Sequence, residues 1–185
     1  MDQLLFRVAI PCIAVGLLLL VRLLTHAPRI IWIRALEVGW IAGLVNLLAD
    51  VAARNLTLWH YNMPGLILGL PLDLYVSVSL IYGSAISLIY WWIVRNHARY
   101  RWWFLGALPV YGLCRDYLGT SLTGSTFLVW DHPLWWVADL AAWATGLWCT
   151  LYVFHRASRV NRASSGARLW VAHGSCWESL PRRHA

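Results

Sequence analysis

The sequence predicts an all-α membrane protein, a helical bundle of about five transmembrane helices. Three observations support this: 60% of the 185 residues are hydrophobic, 12% are charged, and the apolar residues form long uninterrupted blocks. Soluble proteins contain about 25% charged residues, whereas a helix that crosses a bilayer needs about 20 predominantly apolar residues. We therefore expect a multi-pass protein of the cell membrane.

Five apolar blocks have the length of a membrane span. They lie at roughly residues 4–24, 31–53, 66–94, 102–122 and 134–154. The first block has the length of a secretory signal, but the start of the chain carries Asp2 and a single Arg before the uninterrupted apolar run, and no A-x-A-like site follows, so we interpret it as a retained helix. Residues 1–154 are predicted to form the transmembrane domain.

The arginines predict the orientation of the bundle. They cluster in the first link, in the third link and in residues 155–185, whereas the N-terminus and the other two links contain only Arg7 and Arg54. Because short cytoplasmic loops are enriched in basic residues, the N-terminus is predicted outside and the C-terminus in the cytoplasm. Residues 155–185 are predicted to form a basic, largely disordered cytoplasmic tail that contacts anionic lipid, with a partner-binding tail as the alternative.

Charge and cysteine patterns do not predict nucleic-acid binding or metal binding. All 15 basic residues are Arg, and most of them flank apolar blocks or lie in the tail, without an aromatic–basic surface pattern. The four cysteines are scattered and show no CxxC or Cys/His ligand spacing. We expect no metal site and no cofactor.

Acidic residues converge on the predicted outer side of the membrane, where six of the eight lie. A carboxylate within a span costs a few kcal/mol, and such residues usually face the bundle interior and have a function. We predict Asp50, Asp73 and Asp116 as catalytic residues and Asp139 as a substrate-binding residue. Each also has a structural interpretation, for example an Asp50 ion pair with a basic residue one turn later.

Asp73 is the predicted proton donor. Pro71 precedes it and tends to kink a helix or mark its start, which frees backbone groups nearby. A protonated carboxyl group in a dry pocket can transfer its proton to a polyene carbon. The aromatic faces of Trp59 and Tyr61 would stabilise the resulting cation, so Pro71, Trp59 and Tyr61 are predicted to line the substrate site.

Two segments share one order of features, which suggests an internal duplication. Each runs from an acid at the end of a span, through a Trp in the link, to Pro-Leu and another acid. These positions are Asp50, Trp59, Pro71 and Asp73 in the first segment and Asp116, Trp130, Pro133 and Asp139 in the second. Although the spacings differ, two parallel repeats around a midline pocket would produce this pattern.

The pattern D-x8-W-x-Y-N … G-L-P-L-D, from Asp50 to Asp73, resembles the membrane lycopene cyclase domain of bacterial and fungal carotenoid synthesis, and also the related carotenoid hydratases. The resemblance implies protonation and ring closure of a linear carotene without net redox change or cofactor. It carries over Asp73 as proton donor and Pro71 as its positioning residue. The chain departs from the Pro-x-Glu-Glu/Asp motif at Leu74, where the second acid is absent.

Other interpretations remain open. The five spans and 14 Trp are also similar in composition to the tryptophan-rich sensory, or translocator, family, but its early Pro/Trp-rich signature is absent. Instead of an enzyme, the chain could be a carrier or sensor of a hydrophobic or cationic ligand, or a packing subunit of a membrane complex. In each case we expect a lipophilic small molecule or membrane lipid as partner. The sequence leaves open whether the chain forms a homo- or hetero-oligomer.

Overall fold

The computed structural model describes residues 8–62, 65–121 and 128–174, with the side chains of the last helix described through residue 158. The protein is mostly helical, so the predicted all-α class is confirmed. The helices are α1 (Ile10–Thr25), α2 (Arg29–Asn55), α3 (Leu72–Val78), α4 (Ile86–Asn96), α5 (Arg101–Ser121) and α6 (Trp135–Gly174). A π-helical segment, Ser79–Ala85, joins α3 to α4 without a break, and two short strands, β1 (Trp59–Tyr61) and β2 (Leu128–Trp130), lie in the links.

Three helical segments within the described residues are long and apolar enough to cross a membrane. These are Arg29–Asn55, Leu72–Asn96 and Trp135–Ser158, with mean hydropathies of 1.5, 1.6 and 1.3. The helix α1 is apolar but has 16 residues, and α5 has 21 residues but contains Arg115 and Asp116 near its end. A membrane location is therefore consistent with the helices, and the five predicted blocks all correspond to helices.

Two helix boundaries differ from the predicted ones. The third block was expected to become helical near residue 66, but residues 65–70 form a tight turn in which Ile67 pairs with Leu70, and Gly65 and Gly69 have positive φ. Because Pro71 then stands at the N-cap, the helix starts at Leu72. The second difference is at the C-terminal end of α6, which continues 20 residues beyond the predicted end at residue 154, to Gly174. Residues 175–185 of the predicted tail lie outside the described part of the chain.

The helix α2 is central and packs against both the 72–96 helix and α6, while α1 covers the 72–96 helix and α5 covers α6. Small residues permit the closest of these contacts. A Cβ added at Gly43 would lie 2.8 Å from the carbonyl oxygen of Tyr75, so only glycine allows this approach of the two backbones. The neighbouring Ser79 hydroxyl donates to the Tyr75 carbonyl at 2.8 Å, which satisfies its polar group within the bundle.

An antiparallel ribbon of β1 and β2 closes one end of the bundle, here called the ribbon end. Trp59 pairs with Trp130, His60 with Val129 and Tyr61 with Leu128. The two links that the duplication hypothesis matches are therefore neighbours in space, and their Trp residues are direct partners across the ribbon. This ribbon brings the C-terminal end of α2 next to the C-terminal end of α5 and the N-terminal end of α6. Asp50, Asp116 and Asp139 lie near these three ends.

Candidate functional site

Asp50 lies in the last turns of α2, is 5% exposed, and accepts three hydrogen bonds. The Trp59 indole nitrogen donates to it at 3.0 Å, and the hydroxyls of Tyr61 and Tyr75 donate at 2.9 and 2.7 Å. Neutral donors from the ribbon and from α3 thus satisfy most of its acceptor capacity. The predicted Arg54 pairing is replaced by this set, since Arg54 donates to the carbonyl of Leu68.

The ribbon contributes hydrogen-bond donors to Asp50. Burial and the neighbouring Asp50 raise the pKa of the Tyr61 hydroxyl well above its ordinary value, so this phenol keeps its proton and remains a donor. The Trp59 ring packs edge-to-face against Trp130, with ring centroids 5.9 Å apart. Trp59 and Tyr61 were predicted to bind substrate with their aromatic faces, but their polar atoms are engaged with Asp50.

Asp116 has a different set of partners near the end of α5. The adjacent Arg115 guanidinium forms an ion pair with it, and the Trp143 indole nitrogen of α6 donates to its other carboxylate oxygen at 2.7 Å. The guanidinium also lies 4.9 Å from the ring centroid of Tyr82 and 4.7 Å from that of Trp143. Arg115 therefore neutralises Asp116 within a cluster that also contains two aromatic rings.

Asp139, in the first turns of α6, is 6% exposed, and its Oδ2 atom is buried without a hydrogen-bond partner among the described residues. Its carboxyl group is close enough to Asp116, Arg115 and Asp50 to interact with each of them electrostatically. Three carboxyl groups from three different helices therefore meet at the ribbon end, as the sequence predicted for Asp50, Asp116 and Asp139. The unpartnered oxygen sets Asp139 apart from the other two.

A narrow cleft lies one turn deeper in the bundle, between α2, α6 and the π-helical segment. Its volume is about 10 Å³, room for about one water molecule, and its walls include Asn46, Tyr82, Trp143 and Leu147. Asn46 is one turn from Asp50 along α2, and Trp143 is one turn from Asp139 along α6. The lining is mostly apolar and aromatic, with the amide of Asn46 as a polar group, and it does not include Asp50, Asp116 or Asp139.

The structure corrects the location predicted for Asp73. Its side chain is exposed in the first turn of α3, whereas Tyr75, two residues later, is buried and bonded to Asp50. Two helical residues point about 200° apart, so Asp73 and Tyr75 cannot face the same neighbour. The prediction that Asp73 shares the buried acid group is wrong, although Pro71 is buried at the N-cap as a positioning role would require.

Sequence reasoning missed three members of the site: Tyr75, Tyr82 and Trp143. Each is an aromatic residue with a polar atom inside an apolar block, and the sequence analysis assigned none of them to the site. Tyr75 and Tyr82 are seven residues apart, which places them on one face of the helix. This spacing could have indicated that both face the interior of the bundle.

Two histidines, His60 and His132, belong to the ribbon and the turn that follows it. His60 Nδ1 lies 2.6 Å from an Asp131 carboxylate oxygen, which links the two strands, and His132 Nδ1 accepts from the backbone nitrogen of Leu134 at 3.1 Å. Among the described residues, no group of three or more His, Cys, Asp or Glu side chains could hold a metal ion.

Comparison of the chain with protein-family models, with curated proteins and with solved structures finds no match. The resemblance of residues 50–73 to the lycopene cyclase domain therefore stays a prediction based on that motif. Of the motif's chemistry-bearing residues, the structure brings Asp50, Trp59 and Tyr61 together and places Asp73 elsewhere.

Proposed function

We propose that the chain is an integral membrane enzyme of carotenoid or isoprenoid metabolism that protonates a polyene, as a cyclase or a hydratase does. The observation that carries the proposal is the buried Oδ2 of Asp139, which has no hydrogen-bond partner among the described residues and lies close to Asp116 and Asp50 at the ribbon end. A buried ionised oxygen without a donor is far costlier than a protonated one. A proton held there is available to a carbon atom of a substrate that reaches the ribbon end.

In this proposal Asp139 replaces Asp73 as proton donor. Its proton adds to one carbon of a terminal double bond, the π electrons form the new C–H bond, and the other carbon becomes a tertiary cation. In a cyclase, a second double bond attacks this cation, closes a ring, and a ring carbon then loses a proton to a carboxylate. In a hydratase, water attacks the cation instead, and the extra proton on the bound water oxygen returns to the Asp139 carboxylate. Neither route changes the net oxidation state.

The other two acids have separate roles in this mechanism. Asp116 is ion-paired and close to Asp139, so it is positioned to accept the proton that the product cation releases and to return it. Asp50 holds Trp59, Tyr61 and Tyr75, which fastens the ribbon over the acids and limits the entry of water. Asp50 is therefore a positioning residue in this proposal.

The orientation of the bundle is part of the proposal: five spans, N-terminus outside, C-terminus in the cytoplasm, and the ribbon end outside. Arginines concentrate at the opposite end, in the link 97–100 and in the helix ends that adjoin it and the link 26–28. Glu37, at the same end, is paired with Arg34 at 2.8 Å. This asymmetry supports a cytoplasmic location for that end.

A non-catalytic carrier of a lipophilic ligand is the second candidate. The unpartnered Asp139 oxygen also favours it, because a ligand hydroxyl or ammonium group would supply the missing donor. A cationic ligand fits less well, since Arg115 already lies against the aromatic rings of Tyr82 and Trp143. A packing subunit would require no such oxygen.

The test is expression in a lycopene-accumulating host with pigment analysis and a membrane-fraction blot. We expect the wild type to change the pigment profile and Asp139→Asn to lower conversion about 100-fold or more, the usual contribution of a general acid. Glu37→Gln is the matched control: an exposed acid at the other end of the bundle, expected to retain activity.

Asp73→Asn distinguishes the proposal that Asp139 is the proton donor from the sequence prediction that Asp73 is. Because Asp73 is exposed and outside the acid group, this variant should retain activity. An inactive Asp73→Asn together with an active Asp139→Asn, both present in the membrane, would restore Asp73 as donor. An unchanged pigment profile with the wild type in the membrane would contradict the carotenoid proposal.

A further inference from the structure

The link between α4 and α5 forms an exposed basic surface at the end of the bundle opposite the ribbon. Residues 95–103, here called the basic link, comprise the end of α4, the short turn Ala98–Tyr100 and the start of α5. Residues 95–100 are all exposed. The basic link contains three arginines, Arg95, Arg99 and Arg101.

The arginines of the basic link have no carboxylate partner within the described residues. None of the ion pairs found there includes Arg95, Arg99 or Arg101. The two arginines at the ribbon end differ in this respect, because Arg54 donates to a backbone carbonyl and Arg115 pairs with a carboxylate. The basic link therefore carries positive charge that the described part of the chain does not neutralise.

Each guanidinium of the basic link lies over the ring of a nearby aromatic residue. The distances to the ring centroid are 5.4 Å for Arg95 over Trp91, 4.6 Å for Arg99 over Tyr100 and 4.8 Å for Arg101 over Trp102. A ring covers one face of a guanidinium and leaves the N–H donors at its edge available. These donors form a planar fork that matches the oxygens of a phosphate group.

Two exposed tryptophans give the basic link the composition of a membrane interface. Trp102 and Trp103 are 67% and 79% exposed in the first turn of α5. Tryptophan is enriched at the level of the lipid headgroups, because its ring is apolar and its N–H group is polar. In a chain that spans a membrane, this position brings the neighbouring guanidinium groups to the depth of the lipid phosphates.

We infer that the basic link binds the headgroup of an anionic phospholipid through Arg95, Arg99 and Arg101. Charge complementarity favours this ligand: a zwitterionic headgroup carries the same phosphate, but its ammonium group is repelled by the arginines. The inference is independent of the carotenoid chemistry. It also differs from the sequence prediction for residues 155–185, because it assigns the lipid to the link between two helices.

The experiment titrates the full-length protein, in a neutral detergent, with phosphatidylglycerol or with phosphatidylcholine and measures bound lipid by native mass spectrometry. The first phosphatidylglycerol should bind about tenfold or more tightly than the first phosphatidylcholine, since each basic residue beside an anionic headgroup contributes about fivefold in affinity. The triple variant Arg95→Gln/Arg99→Gln/Arg101→Gln should reduce this preference to about twofold or less, because it removes all three charges.

The matched control is the triple variant Arg159→Gln/Arg162→Gln/Arg168→Gln. It removes the same number of charges from the part of α6 that lies beyond the predicted fifth span. The control should keep the lipid preference of the wild type. An equal loss in both triple variants would mean that the preference follows net charge, and a loss in the control alone would assign the lipid to α6. Either result would overturn the inference.

Equal binding of the two lipids by the wild type would also overturn it. If the triple variant of the basic link fails to accumulate, the double variant Arg99→Gln/Arg101→Gln decides, and an unchanged preference there contradicts the inference. A wild type that prefers phosphatidylglycerol but converts no carotene would contradict the proposed function and leave this inference standing.

Discussion

The two segments of the possible duplication place similar residues in similar positions but connect them differently. In the first, Asp50 near the end of α2 accepts from the link Trp59 and from two tyrosines, all neutral donors. In the second, Asp116 near the end of α5 is ion-paired, and its Trp donor comes from the next helix.

The link Trp of the second segment has a different role from its counterpart. Trp130 donates to the Thr120 hydroxyl at 3.2 Å and stacks on Trp135 with centroids 4.0 Å apart, so it does not reach Asp116. The first segment therefore uses its acid to fasten the ribbon, and the second uses its acid to position a cleft wall. Similar sequence order has produced one acid bonded to neutral donors and one acid held in an ion pair.

The largest expected effect on stability is in the second segment. Asp116→Ala removes the ion-pair partner of Arg115, whose side chain is 35% exposed, and also the acceptor of the Trp143 indole N–H, and the two losses together should cost about 3–5 kcal/mol. Thermal unfolding of the detergent-solubilised protein should show a large decrease in midpoint. The double variant Arg115→Leu/Asp116→Leu is the control and should recover much of the loss, because it leaves no unpaired charge. Equal losses in both variants would show that the ion pair is not responsible.

A smaller effect is expected in the first segment, where the donors are neutral. Asp50→Ala leaves up to three donors without an acceptor, at a cost of about 2–4 kcal/mol, whereas Asp50→Asn retains one acceptor oxygen and should lose less. The two unfolding midpoints should therefore differ, with Asn above Ala. Identical midpoints would indicate that the hydrogen bonds to Asp50 contribute little.

The smallest effect is expected where the two segments meet at the solvent-accessible edge of the ribbon. His60 and Asp131 are 50% and 33% exposed, and an ion pair of this kind contributes about 0–1 kcal/mol. His60→Ala should lower the unfolding midpoint only slightly. A decrease as large as that of Asp50→Ala would mean that the strand pairing itself depends on this contact, and would make the ribbon a more important element than its length indicates.

Most of the helices could be predicted because their length and apolarity are local properties of the chain. The apolar blocks near residues 31–53 and 134–154 correspond to α2 and α6. Pro28 is the N-cap of α2, and proline is common at helix starts because it lacks a backbone N–H. The start of the third helix was misplaced because the turn at residues 65–70 is apolar, so its composition resembles that of the helix that follows.

The site was partly predictable for a related reason. Buried acids are rare in apolar blocks, so Asp50, Asp116 and Asp139 stood out, and topology predicted their common depth. Their partners did not stand out, because a Tyr or Trp in such a block has the same composition whether it faces lipid or an acid. The error at Asp73 arose in this way: its neighbour Tyr75 was the residue on the interior face.

The amino-acid sequence by itself determined the helical class, the number of apolar blocks, the Arg asymmetry between the two ends and the depth of the acids, because each depends on residues close together in the chain. Only the tertiary structure decided which acid is left without a hydrogen-bond partner. That outcome depends on helix rotation and on the pairing of two distant links. The ribbon and α3 bring three donors to Asp50, and α5 places Arg115 beside Asp116. No donor among the described residues reaches Oδ2 of Asp139.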